Sequence, residues 1–204
     1  MPDALDLPDD PDLWRWAPFD PSSLVDVMRG YDGLWAVAGG WALELALGLP
    51  ARVHHDVDVA TLRRDQHELQ RHFAGWQLYY ATPQRELIRW DAGQALQLPV
   101  HGIWVRRTDD SPWLCEFLLN EADGDDWVYR RDPRVRLPLD RLVSSYDGLP
   151  VLNPAVALLY KSKNRSAKDE ADFAAAHPRL SAGDREWLRA ALPAEHPWRA
   201  RLTP

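Results

Sequence analysis

The sequence predicts an α+β protein, a mixed β-sheet flanked by helices and followed by a small C-terminal helical subdomain, and three observations carry that expectation. Short apolar or alternating runs bounded by Gly, Pro and Asp clusters recur between residues 34 and 137, as strands do. Within that span helical periodicity interrupts them at 41–47 and 64–73. Beyond Asn153-Pro154 the pattern turns helical. At 204 residues and 46% hydrophobic, the chain can build one sizeable core, or one core with a helical appendage. These marks divide it into an arm over 1–22, a sheet-containing domain over 23–150 and the helical subdomain over 151–204.

Taken in order, the first 22 residues carry Asp-Pro and Pro-Phe-Asp-Pro with little periodicity, which predicts a loosely ordered arm leading to a short helix at 23–29. The apolar run 34–38 is a strand ended by Gly39-Gly40, and the mostly apolar helix 41–47 is closed by Gly48 and Pro50. Residues 56–60 alternate carboxylate and aliphatic, the period of a strand with one apolar face. A helix over 64–73 follows, then strand-like runs at 77–81, 87–90, 100–106, 113–118 and 127–130 that complete the sheet. Asn153 caps and Pro154 occupies the first turn of a helix running through Lys163, with further helices at 168–176 and 181–191.

The longest apolar stretch, 34–49, is broken by Gly39, Gly40 and Glu44, so no segment reads as a membrane span. The acidic, proline-rich beginning is unlike a secretory signal, and a cytoplasmic protein is expected. The single cysteine, Cys115, allows no intrachain disulfide or Cys-based zinc site and reads as a core thiol. A net charge of −7 repels a nucleic acid backbone unless basic residues gather on one face, and a small or cationic substrate fits it better.

Asp56 and Asp58 stand two apart on the expected strand, so both carboxylates leave one face with backbones roughly 6.6 Å apart. That pair can grip one divalent ion, although an Asp-x-Asp by itself is more often a solvated strand face. Magnesium, held by one or two carboxylates plus substrate phosphates, suits it. Gly39-Gly40, at the junction of a strand and a helix, lets the backbone approach phosphate oxygens at the free N–H groups of the helix start. Together the two features point to a bound nucleoside triphosphate.

The run Ala38-Gly39-Gly40-Trp41-Ala42-Leu43-Glu44-Leu45, followed by Arg52-Val53-His54-His55-Asp56-Val57-Asp58, resembles the first motif of the DNA polymerase beta-type nucleotidyltransferase superfamily. It is most similar to the aminoglycoside 2''-nucleotidyltransferases and lincosamide nucleotidyltransferases. The resemblance covers 34–60 well and the remainder loosely; it implies that 23–150 is a nucleotidyltransferase domain with the nucleotidyltransferase fold. It also implies a third carboxylate on a later strand that completes the metal site and serves as base. Glu116, a lone acid in the apolar run 113–118, matches best, ahead of Asp91 and Asp109.

Lys161, Arg165 and Lys168, at i, i+4 and i+7 of one unbroken helix, would clamp the leaving pyrophosphate, or else form a basic face paired with Asp169 and Asp172. Arg52, in the loop before the aspartates, would also face phosphate, with His54 and His55 as loop residues near the site. The acidic stretch 121–126 reads as a solvated turn. The expected activity is transfer of AMP from ATP, with magnesium, to a hydroxyl of a small molecule such as an aminoglycoside or lincosamide. The alternatives are a nucleotidyltransferase toxin acting on tRNA or protein, for which Arg63, Arg64, Arg106 and Arg107 could supply a local patch, and a non-catalytic nucleotide-binding module.

Overall fold

The strand, glycine turn and helix expected near residue 39 are the seed of the fold. A computed structural model describes residues 15–84 and 86–203; residues 1–14 of the expected arm lie outside it. A short helix α1 (Leu24–Val27) leads to β1 (Trp35–Val37), which passes directly into α2 (Gly39–Leu47). After a loop come β2 (Asp58–Leu62), α3 (Gln66–His72), β3 (Gln77–Ala81), β4 (Leu87–Arg89), β5 (Gly102–Arg106) and β6 (Cys115–Asp123). Then follow β7 (Asp126–Val128), β8 (Arg136–Pro138), α4 (Leu139–Leu142) and the hairpin β9 (Val143–Tyr146) and β10 (Leu149–Leu152). The remainder is helical: α5 (Pro154–Lys161), α6 (Ala167–Ala176), α7 (Ala182–Ala191) and α8 (Trp198–Arg201).

The sheet is mixed, in the order β4-β3-β5-β6-β2-β1-β10-β9, with β7 and β8 branching from the far end of β6. Two parallel pairings, β2 with β6 and β1 with β10, sit among antiparallel ones. On one face Ile103, Val105, Cys115 and Phe117 are fully buried in a cluster with Leu24, Met28, Leu69 and Phe73. The cysteine is thus the core thiol its neighbours predict, and burial pushes its pKa up. Helix α2 packs on β10, α5 and α6.

Three sequence expectations change. The strand expected at 56–60 begins only at Asp58, so Asp56 lies in the loop that precedes it. The helix expected to run through Lys163 stops at Lys161, with Ser162 as its cap, so Lys161, Arg165 and Lys168 do not share one helical face. A new helix starts at Ala167, where the Ser166 side chain accepts from the Asp169 N–H and Asp169 returns a bond to the Ser166 N–H. Between them Arg165 takes a left-handed φ of 49°, a conformation no helix interior allows. The β9–β10 hairpin was not expected, and β10 crosses residue 150, where the sheet-containing unit was drawn to end.

The buried helix α5 explains why the C-terminal elements hold to the sheet. Asn153 accepts from the Ala155 N–H and Pro154 stands in the first turn, the capping expected from the sequence. Every residue from Pro154 to Leu159 is buried. Arg179 closes the other contact, donating to the carbonyls of Leu47 and Gly48 at 3.1 and 2.6 Å, where α2 ends in free acceptors and a negative dipole end. Among the described residues no helix is long and apolar enough to cross a membrane.

Candidate active site

Strand register gathers the expected site. β1 runs antiparallel to β2 with Val37 opposite Val59, and the Ala38 N–H donates to the Asp58 carbonyl at 2.8 Å. The end of β1, where Gly39 turns into α2, therefore meets the beginning of β2. β6 runs parallel to β2 with Asp58 opposite Glu116, and the ladder continues one step earlier through the Glu116 N–H to the Val57 carbonyl at 3.0 Å. Directly paired residues project from the same face, so the acids of Asp58 and Glu116 are neighbours across one strand spacing of roughly 4.8 Å.

The two glycines are where backbone and site come closest. Gly39 has φ 60°, and a Cβ there would fall on the Asp58 carboxylate. A Cβ on Gly40 would fall on the Arg52 guanidinium and the His54 ring. Gly102 on β5 is the counterpart for the third acid, since a Cβ there would strike Glu116 Oε1. Glycine at all three positions clears the space in which the carboxylates and the helix start face one another.

Glu116 is 5% exposed. Burial, with the nearby charges of Asp58 and Asp56, pushes its carboxyl up to about 7. Asp58 Oδ1 is buried without a hydrogen-bond partner. Among the described residues no group of three or more His, Cys, Asp or Glu is arranged to hold a metal ion by itself. Asp58 and Glu116 stand side by side, but with Asp56 they do not make up such a group. The weaker competitors lie elsewhere: Asp109 is exposed and engaged by Tyr79, Arg89 and Arg106, and Asp91 is exposed.

Of the expected phosphate-binding residues, Arg52 lies against the helix start, as its contact with the Gly40 position shows. Its Nε faces Glu44 Oε1 and Asp172 Oδ1, each at 3.5 Å. Lys161 is mostly buried and paired with Asp172 at 2.8 Å and Asp169 at 3.5 Å, the paired alternative of the sequence reading. Arg165 is exposed, 3.9 Å from Glu170, and the break in the helix separates it from Lys161. Lys168 is exposed, and its charge reaches His54, whose pKa is lowered by burial first and by Arg52 and Lys168 after it. His54 is sandwiched between Trp41, ring centroids 4.1 Å apart, and Glu44; His55 points to solvent.

Sequence reasoning gave Glu44 no role, and considered Asp172 only as a partner of the basic face rather than of Arg52. The signal for Glu44 was available, because a lone acid inside a mostly apolar helix needs a partner. The basic patch weighed for RNA is engaged within the molecule: Arg63 with Glu121, Arg64 with the Gly124 carbonyl, Arg106 over Trp113 and Tyr79, and Arg107 over Trp76. The acidic stretch 121–126 is the end of β6 and its hairpin into β7, with Glu121, Asp123 and Asp126 facing Arg63 and Arg136.

Comparison with known proteins adds a family match over part of the chain, and a fold. The family described as aminoglycoside-2''-adenylyltransferase matches residues 22–101, a span that includes Gly39 to Asp58 and ends before Glu116. No curated protein matches the chain. The solution structure of the antibiotic-resistance factor ANT(2'')-Ia superposes with a TM-score of 0.54 at 16% identity, over 88% of this chain and 89% of the other. A crystal structure of the same factor with adenylyl-2''-tobramycin gives 0.52 at 16% identity, over 89% and 96%. The lincosamide antibiotic adenylyltransferase LnuA, with lincomycin bound, gives 0.50 at 12% identity, over 78% and 95%. At such identities the likeness is one of fold. Residues 22–101 thus match the aminoglycoside-2''-adenylyltransferase family, and the chain shares its fold with the structures of ANT(2'')-Ia and LnuA.

Proposed function

We propose that the protein transfers a nucleoside monophosphate, AMP from ATP, to a hydroxyl of a small molecule such as an aminoglycoside or lincosamide antibiotic, with magnesium as its metal. The observation that carries this reading is the register that sets Glu116 beside Asp58 and both beside the Gly39 turn. The donor set fits a hard divalent cation: it is all carboxylate oxygen, and one of those oxygens, Asp58 Oδ1, is buried and unpartnered. Asp56, Asp58 and Glu116 would hold the magnesium, with triphosphate oxygens as further ligands, and bound there it neutralises charge on the phosphate.

The chain's own groups do the rest. Free N–H groups where α2 begins receive triphosphate oxygens, and Arg52 and Lys168 add positive charge on the side where pyrophosphate departs. The acceptor hydroxyl attacks the α-phosphorus in line, the bond to pyrophosphate breaks, and the hydroxyl proton passes to Glu116. The acceptor class follows from relatives whose structures carry adenylyl-2''-tobramycin and lincomycin. The reading assigns the protein to the cytoplasm, the compartment that supplies nucleoside triphosphates, and treats the helices after residue 150 as a subdomain bordering the nucleotide site.

The test is pyrophosphate release from ATP and magnesium across a panel of aminoglycosides, lincosamides and tRNA, with an Asp56→Ala, Asp58→Ala double variant alongside. Release that depends on an aminoglycoside or lincosamide and vanishes in the variant is the expected result. Release with tRNA alone would replace the acceptor class, and ATP binding that ignores the double substitution would overturn the site.

A further inference from the structure

Glu44 is 8% exposed on a mostly apolar helix, and a carboxylate so placed needs charged or hydrogen-bonding neighbours. It has two, and both come from the loop that leads to the aspartates. His54 Nε2 lies 2.6 Å from Glu44 Oε1, and Arg52 Nε lies 3.5 Å from the same oxygen. Trp41, one helical turn earlier than Glu44, holds the other side of the His54 ring at 4.1 Å with the planes 20° apart. The loop is thereby fastened to the helix whose first residues form the glycine turn.

The direction of the Arg52 guanidinium is the second observation. Glu44 and Asp172 both face its Nε edge. Its Nη2 is left buried without a hydrogen-bond partner, against Gly40. A buried donor with no acceptor is costly, and this one stands at a helix start that already favours an anion.

We infer that Glu44 is a positioning residue for the nucleotide. It grips Arg52 by the Nε edge so that Nη2 faces the phosphate oxygens received at Gly39-Gly40, and through His54 it holds in place the loop that carries Asp56. Asp172, from α6, completes the grip on Arg52 from the helical side. The inference rests on the nucleotidyl-transfer reading and adds a role that neither the motif nor the three acids require.

A double-mutant cycle separates this role from a purely structural one. ATP binding with magnesium is measured by calorimetry, with inorganic triphosphate as a second probe, for the wild type, Glu44→Gln, Arg52→Met and the double variant. Thermal unfolding of each and KM values for ATP and the acceptor are measured alongside. Glu44→Gln keeps the shape and the His54 contact but removes the charge, so ATP binding weakens about tenfold, as expected for a lost charged contact. The KM for ATP rises with it, while the KM for the acceptor stays. In the Arg52→Met background the same substitution changes ATP binding less than about twofold, because the group through which Glu44 acts is gone. Glu44→Asp, which keeps the charge one methylene further back, recovers part of the affinity. An equal loss in both backgrounds, or no loss at all, overturns the inference and leaves nucleotidyl transfer standing. A wild type without affinity for ATP overturns both.

Discussion

Glu116 is the residue whose chemistry the fold alters most. Burial first, and then the charges of Asp58 and Asp56, raise its carboxyl from the ordinary 4.5 to about 7. As pH rises from 4.5 toward 7 the unfolded chain gives up a proton that the folded chain keeps. The associated stability is therefore fully present below the lower value and is lost by the time pH has passed the upper one. Glu116→Gln cannot ionise and should escape that loss. In metal-free buffer at about pH 8 the variant is expected to unfold at a higher temperature than the wild type, by an amount on the order of 3 kcal/mol in stability, with the gap narrowing at about pH 5. Magnesium with ATP should reverse the order at the higher pH, since only the wild type offers the carboxylate. Thermal scans at both pH values, with and without ligand, read all four states. The glycines give a companion prediction. Gly39→Ala meets both a left-handed φ and the Asp58 carboxylate, and should lose about 1 kcal/mol or more of stability along with activity. Gly40→Ala displaces Arg52 and His54, and should lower the melting temperature while weakening ATP binding at least about tenfold.

At the level of elements, the sequence was most legible where one local signal dominated. Gly39-Gly40 after an apolar run announced a strand passing into a helix, and Asn153-Pro154 announced a capped helix start; both are present. Glu116 could be picked from an apolar run as a lone acid, but its place opposite Asp58 is a long-range pairing that no local pattern encodes. The β9–β10 hairpin carried a readable signal that went unused. Asp147-Gly148, with φ 51° and 81°, is a two-residue turn of the kind that twists with its strands, and Pro150 within the second run masked it. The break between α5 and α6 was legible as a gap between helices ending at Lys163 and starting at Lys168, but Ser166 with Asp169 three residues on is the capping box that starts α6 at Ala167. That box is testable. Ser166→Ala should cost about 1 kcal/mol in chemical unfolding, the usual value of an N-cap, because the Asp169 N–H loses its acceptor. If α5 and α6 were instead one helix in solution, alanine there would stabilise the protein.

For the whole molecule the question is whether the C-terminal helices are an appendage or part of the nucleotide-binding body. Val156, Leu158, Leu159, Phe173 and Leu188 are all fully buried in the cluster that also contains Val37, Val59 and Val151 of the central strands. Burial of each such side chain contributes about 1.5–3 kcal/mol, so these five together rival the roughly 5–15 kcal/mol by which a whole domain is stable. Polar contacts cross the same boundary: Tyr160 donates to Asn120 at 3.0 Å, and Asp172 pairs with Arg52 at 3.5 Å. A chain ended after Asn153 is therefore expected to lose cooperative unfolding in urea and its near-ultraviolet aromatic signal. The sheet would lose the cover of its central strands, and Arg52 the acid that holds it from α6. A truncated chain that still unfolded in one sharp transition and bound ATP as the full chain does would show the helices to be an appendage. The loss of both together would mean that the helices of this same chain complete the wall of the nucleotide site, so that sheet and helices fold, and bind, as one unit.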